Sequence, residues 1–176
     1  MSEVMAEIVA GIAWLRAGRV EESVERLQRS LADLLRTGHR AWVPYVRAVL
    51  GEALARAGDP AAGLRCVEES LAQVERQDER VHLAEILRLE GWMLSLQGRT
   101  DEAERSLVAA IEVARVQGTR SWELRAATTL ARLIAARGER ARARALLAPV
   151  YEWFTEGFDT RDLTEARTLI EELTDG

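Results

Sequence analysis

Apolar residues recur along this chain at helical spacing, three or four positions apart, and do not fall into the strict alternation that marks a strand. Short polar stretches carrying glycine interrupt the pattern. They divide it into helices expected near residues 3–17, 20–36, 40–57, 60–76, 80–97, 100–117, 120–137 and 140–155, with a last one near 161–173 after a break from Gly157 to Thr160. The turns carry stop and start signals: Gly58 suits a left-handed helix end, Asp59 can cap the next helix, and Pro60 fits its first turn. Gly98 and Thr100 repeat that logic one unit later.

The interruptions are periodic. Gly18, Gly58, Gly98 and Gly138 stand 40 residues apart, as do Gly11, Gly51, Gly91 and Ala131, and Ser23, Gly63, Ala103 and Ala143. Two antiparallel helices joined by a short turn approach closely only where side chains are minimal, so these series mark the crossing of each pair. Larger apolar residues flank the crossing, at Trp14, Leu54, Leu94 and Ile134 on the first helix and at Leu27, Val67, Leu107 and Leu147 on the second. Gly38, Asp78 and Gly118 mark the links between pairs, again at the same step. The expected fold is all-α: one domain over 1–176, a right-handed superhelical solenoid of about four helix-turn-helix repeats at 1–38, 39–78, 79–118 and 119–157, closed by a capping helix over 158–176.

A period of 40 alone leans toward HEAT or armadillo units. The order of small residue, large residue, turn glycine and second small residue instead resembles the tetratricopeptide consensus with lengthened helices, from Ala6 to about Val150. The consensus aromatic and proline at the repeat end are mostly missing. Three stretches resemble a narrower group: Ser121-Trp122-Glu123-Leu124-Arg125-Ala126-Ala127, then Leu146-Leu147-Ala148-Pro149-Val150-Tyr151, then Trp153-Phe154-Thr155-Glu156-Gly157-Phe158-Asp159-Thr160. They are similar to the C-terminal end of large bacterial signalling ATPases, as is Glu85-Ile86-Leu87-Arg88-Leu89-Glu90-Gly91. Such proteins join a cyclase-like or DNA-binding domain to an ATPase module and a C-terminal tetratricopeptide array. The resemblance implies a sensing or docking array. A phosphate loop needs lysine, and this chain has none, so the ATPase part is absent and the chain is expected to be an excised domain or a stand-alone relative.

Composition narrows the functional classes. Hydrophobic residues at 48% and charged residues at 30% exclude a disordered chain. A formal net charge of -5 disfavours a general nucleic-acid binder, which leaves a helical-repeat nucleic-acid reading in third place. All 24 basic residues are arginine, which suggests a GC-rich bacterial source. The one cysteine, Cys66, cannot form an internal disulfide, and Glu3 and Glu7 replace the basic start of a secretion signal, so the cytoplasm is the expected compartment. His39 and His82 are the only histidines, and no metal-ligand spacing or nucleophile with a base can be assembled. Neither catalysis nor a cofactor or metal is expected.

The first helix of each pair should line the concave side. Its off-seam positions give a candidate partner-binding groove of Tyr45, Glu52, Arg56, Glu85, Arg88, Trp92, Arg125, Thr128 and Arg132. Arg88, Arg125 and Arg132 can grip a carboxylate and Trp92 can anchor a partner, unless Glu52 and Glu85 simply neutralise the arginines. The clamp of chaperone-binding tetratricopeptide proteins uses Asn and Lys, absent here, so that ligand is disfavoured. Val4, Met5, Ile8, Ile12 and Leu15 make the first helix apolar over a wide face, a candidate homo-oligomer interface. Arg137, Arg140, Arg142 and Arg144 read as a solvated face, and Trp153, Phe154 and Phe158 as a plug over the last repeat. The leading expectation is a protein-protein interaction and oligomerisation module. The alternative is a peptide-sensing domain that regulates a DNA-binding partner.

Overall fold

The computed structural model describes residues 3–174, and among them every regular element is helical. Four antiparallel pairs follow one another: α1 (Glu3–Arg16) with α2 (Val20–Thr37), α3 (Val43–Arg56) with α4 (Pro60–Gln77), α5 (Leu83–Leu96) with α6 (Thr100–Gln117), and α7 (Arg120–Ala136) with α8 (Arg140–Glu152). A final α9 (Arg161–Thr174) packs on both α7 and α8. Each first helix also touches the first helix of the next pair, so these helices line the inner wall of a superhelix.

Glycine ends the first helix of every pair for a backbone reason. Gly18, Gly58, Gly98 and Gly138 all take positive φ, at 80°, 102°, 74° and 85°. That left-handed residue turns the chain so that the next N–H donates five residues back: Arg19 to the Trp14 carbonyl, Asp59 to Leu54, Arg99 to Leu94 and Glu139 to Ile134. The links between pairs use the same device at Gly38 and Gly118, with φ of 76° and 67°, but Asp78 holds that position in the second link at φ 50°. Aspartate tolerates this region better than most side chains. The third pair then starts late, α5 beginning at Leu83 and not near residue 80.

The small-residue series sits where the helices cross. A Cβ on Gly51 would lie 2.6 Å from the Gly63 carbonyl oxygen, and one on Gly63 would lie 2.5 Å from the Gly51 oxygen. Gly91 is as crowded, 2.5 Å from Leu107 Cγ and 2.9 Å from the Ala103 oxygen. In the first pair the Ser23 hydroxyl donates to the Gly11 carbonyl at 2.8 Å, and in the fourth Ala131 and Ala143 are both fully buried. Leu27, Val67, Leu107 and Leu147 form a continuous row, each at 0% exposure. The matching row on the first helices is less uniform: Leu94 and Ile134 are buried, but Leu54 and Trp14 are only half-buried. Trp14 is wedged between the guanidiniums of Arg19 and Arg26, 4.2 and 4.0 Å from its ring centre.

Two expectations at the ends of the array need correction. The aromatic plug is one residue: Phe154 packs on the core, while Trp153 is 55% exposed under the Arg120 guanidinium and Phe158 is 40% exposed beside Tyr151. What closes the last pair is the apolar stripe of α9, Leu163, Ala166, Leu169 and Leu173. Pro149 lies inside α8 and lacks the N–H that would continue the ladder, and the helix ends at Glu152 instead of near residue 155. In α1, Ile8 and Leu15 are not on an outer face at all. They are 1% and 4% exposed inside the core shared with α2 and α3.

Candidate concave cavity

Repetition places equivalent residues of successive first helices in columns along the inner wall, and it is there that charge has been buried. Glu85 is 2% exposed. Its carboxylate accepts two bonds from Arg88, through Nε and Nη2 at 2.9 Å each, and forms an ion pair with Arg125 Nη2 at 2.8 Å. Glu52, one helix earlier and also 2% exposed, accepts from Arg56 Nε and Nη2 at 3.1 and 2.9 Å and lies 3.8 Å from Arg88. Arg88 thus bridges α3 and α5, and Arg125 ties α5 to α7. Burial raises the Glu52 carboxyl, but Arg88, Arg16 and Arg56 outweigh it and hold it below the usual carboxylate range. Burial also lowers Arg88, and its two glutamates more than reverse that, leaving it more firmly protonated than a free arginine.

Above this network opens a cavity of about 420 Å³. Glu52, Arg56, Arg88, Trp92, Arg125, Thr128 and Arg132 line it, which brings together seven of the nine groove residues expected from the sequence. Glu85 and Tyr45 lie outside the lining. Glu85 is beneath it in the ion-pair network, and Tyr45 belongs to an aromatic ladder, its ring stacked 4.4 Å from His82, which in turn tilts against Trp42 and Trp122 at 5.2 and 5.8 Å. Trp42, His82 and Trp122 stand at the same 40-residue step, at or beside the amino ends of α3, α5 and α7, a regularity the search for small residues passed over. Burial lowers the His82 imidazole from its ordinary value, with Glu79 and Glu85 opposing.

The sequence reading also missed what closes the cavity. Arg161, Asp162 and Glu165 of α9 form one side, and Arg161 Nη1 donates to the Arg16 carbonyl at 3.2 Å, joining the start of the last helix to the end of the first. Glu165 accepts from Arg161 at 2.6 Å and pairs with Arg132 at 3.4 Å, while Asp162 lies 3.8 Å from Arg125. The signal was available, because Glu165 stands 40 residues beyond Arg125, which itself follows Glu85 and Tyr45 in the same column. The concave side is therefore a partly open pocket lined by the first helices and α9, with α9 reaching the end of α1 through the exposed Arg161 bond.

Other candidates do not gather into a site. Arg137 and Arg142 pair with Glu104, and Arg140 and Arg144 bond to Glu172 and Thr174, a surface network between α6, α8 and α9. Among the described residues no group of three or more His, Cys, Asp or Glu could hold a metal ion, and no helix is long and apolar enough to cross a membrane.

With this geometry in view, comparison with known proteins is direct. Tetratricopeptide-repeat family profiles match residues 45–116 and 124–149, together more than half the chain. The chain belongs to the tetratricopeptide-repeat family. Its fold is similar to the crystal structure of a kinesin light chain-like protein of Podosopora anserina with nearly identical TPR-like repeats, at TM-score 0.70 and 17% identity over 97% of this chain and 84% of that one. A single-substitution variant of the same protein gives TM-score 0.70 and 17% identity over 98% and 87%. At that identity the likeness concerns the fold. No curated protein matches by sequence. Repeats of this family mediate protein-protein interaction and are typically non-catalytic.

Proposed function

We propose that this chain is the sensing or docking array of a bacterial signalling protein, and that it takes a segment of a partner protein into the concave cavity. The observation that carries the reading is the closure of the cavity: a ligand there touches α3, α5, α7 and α9 together, so binding is coupled to the curvature of the whole array. A pocket closed by α9 suits the end or a tight turn of a partner chain better than an extended strand passing through. The resemblance of the 121–127, 146–151 and 153–160 stretches to signalling ATPases supports placing the array in that context.

The ion pairs make the wall rigid before a partner arrives, which lowers the ordering cost of binding. Self-association through α1 has a narrower basis than the sequence suggests. Ile8 and Leu15 are interior, Val4, Met5 and Ile12 pack partly against the core, and the outward face is Val9 with Ala6 and Ala13.

The test is capture from a bacterial lysate by the immobilised chain beside two variants, Trp92→Ala and Arg132→Glu, with quantitative mass spectrometry. Partners held by the native chain should fall by about tenfold on both, since an aromatic anchor or a charge at a contact is worth roughly 1–3 kcal/mol. A set of partners unchanged by both variants would place the interaction elsewhere.

A further inference from the structure

The cavity wall is not electrically balanced. Six arginines line it, against Glu52, Asp162 and Glu165, and counting Glu85 beneath them still leaves two positive charges in excess. The surplus is concentrated where the end of α1 and the wall of α7 line the same cavity. Half-buried Arg16 makes no ion pair among the described residues. Arg132 has one contact, to Glu165 at 3.4 Å. The Arg125 side chain is 13% exposed, and its proton affinity is lowered first by burial and then, against the pull of Glu85, by Arg88 and Arg16. Cations held this close in a low dielectric repel one another, and an anion among them relieves the repulsion.

We infer that the cavity binds a phosphomonoester dianion, contacted by Arg16, Arg125 and Arg132, an inference that rests on reading the cavity as the chain's binding seat. Charge chooses the class of ligand: a dianion matches the excess of two, and a single carboxylate leaves one cation uncompensated. Donor chemistry agrees. Three of the four hydroxyls on the wall already donate to helix carbonyls, Thr128 to Leu124 at 2.8 Å, Thr129 to Arg125 at 2.9 Å and Ser95 to Trp92 at 2.6 Å. The N–H groups on the wall are chiefly those of guanidiniums, whose forks fit the oxygens of a phosphoryl group, with the Trp92 indole among them. A volume of about 420 Å³ admits a phosphorylated small molecule or a single phosphorylated side chain. A polyanion such as a nucleic acid is disfavoured by the net charge of -5.

Calorimetric titration at low ionic strength with phenyl phosphate, and separately with benzoate, reads the inference. One phenyl phosphate should bind per chain, about tenfold or more tightly than benzoate, and added salt should weaken it. Arg16→Gln should lower the affinity about tenfold with the helical circular dichroism spectrum unchanged, and Arg132→Gln, at an exposed position, should act in the same direction. A phosphotyrosine peptide separates the two sources: tighter binding than phenyl phosphate assigns a phosphorylated protein, and equal or weaker binding a free phosphorylated molecule. No saturable binding of phenyl phosphate, equal affinity for benzoate, or indifference to both substitutions overturns the inference. If the inference alone fails, capture of partners sensitive to Trp92→Ala survives; if the cavity is no binding seat, the captured partners are unchanged by Trp92→Ala as well.

Discussion

Gly63→Leu should lower the unfolding midpoint by roughly 4–8 °C or more, a large effect for one substitution in the array. Leucine is among the best helix formers, so the intrinsic preference of α4 rises by about 1 kcal/mol on losing glycine. Sterics decide the outcome. Even the first added carbon falls 2.5 Å from the Gly51 carbonyl oxygen and 3.1 Å from Ala55 Cβ and Met93 Sδ, and the nearest of these is backbone with no rotamer to change. Parting α3 from α4 opens a core they share with α5, an overpacking cost of about 3 kcal/mol or more, and each kcal/mol moves the midpoint of a chain this size by roughly 2–4 °C. Gly11→Ala is the control: its Cβ meets only Leu27 and Arg26 side-chain atoms, at 3.1 Å or more, so the midpoint should stay within a few degrees. Thermal unfolding followed by circular dichroism reads both. A stable Gly63→Leu would mean that the helices do not cross there.

Glu85→Gln is the second large effect. It leaves the side chains of Arg88 and Arg125, 9% and 13% exposed, without the carboxylate they share. Removing one member of a buried ionic group typically costs about 3–5 kcal/mol, because the remaining charge stays desolvated. Removing Arg125 as well, in Glu85→Gln with Arg125→Gln, should recover part of the loss, and chemical denaturation of both variants measures the coupling. By contrast the Arg132 to Glu165 pair is 53% and 36% exposed and should contribute less than about 1 kcal/mol. Acid tests the same network. Glu52 is held below its ordinary value of 4.5 in the folded chain, so its contribution is fully present above that pH and is lost as the pH falls through the depressed folded value. The Glu52 contribution should therefore be lost in acid below pH 4.5, and the buried His82 imidazole, which the unfolded chain protonates more readily, should already lower stability as the pH falls through its ordinary value of 6.5. A Glu85→Gln chain as stable as the native one would contradict the network.

The repeat was readable because its physical cause is local. A glycine that must take positive φ and a glycine that must admit a neighbouring backbone each leave a single-residue trace, and the 40-residue step of those traces fixes helix ends to within about three residues. Inner-wall residues followed from the same register. Its closure did not, since superhelical curvature accumulates from small rotations between repeats that no single residue records. The columns also run on into α9, where Arg161 and Glu165 line the cavity although the sequence pattern assigns them to a capping helix. Arg88 shows a different limit: Glu85 three residues before it offered an ion pair, but only the packed structure shows that Arg125 shares the same carboxylate. For α1, the wide apolar face concealed a core stripe of Ile8, Gly11 and Leu15, and those buried positions are spaced as a helix seam should be.

A binding seat of this kind exists only if the array curves around its cavity and brings the start of α9 within a side chain's reach of the end of α1. Cross-linking measures this directly. In a Cys66→Ser background, Ala17→Cys and Thr160→Cys flank the Arg161 bond to the Arg16 carbonyl, and both positions are exposed. A short bis-maleimide should join them within one chain, giving a product of single-chain mass that carries the 17-to-160 cross-link in its peptide map. Cross-links only between chains, or none, would show an open array and contradict the cavity.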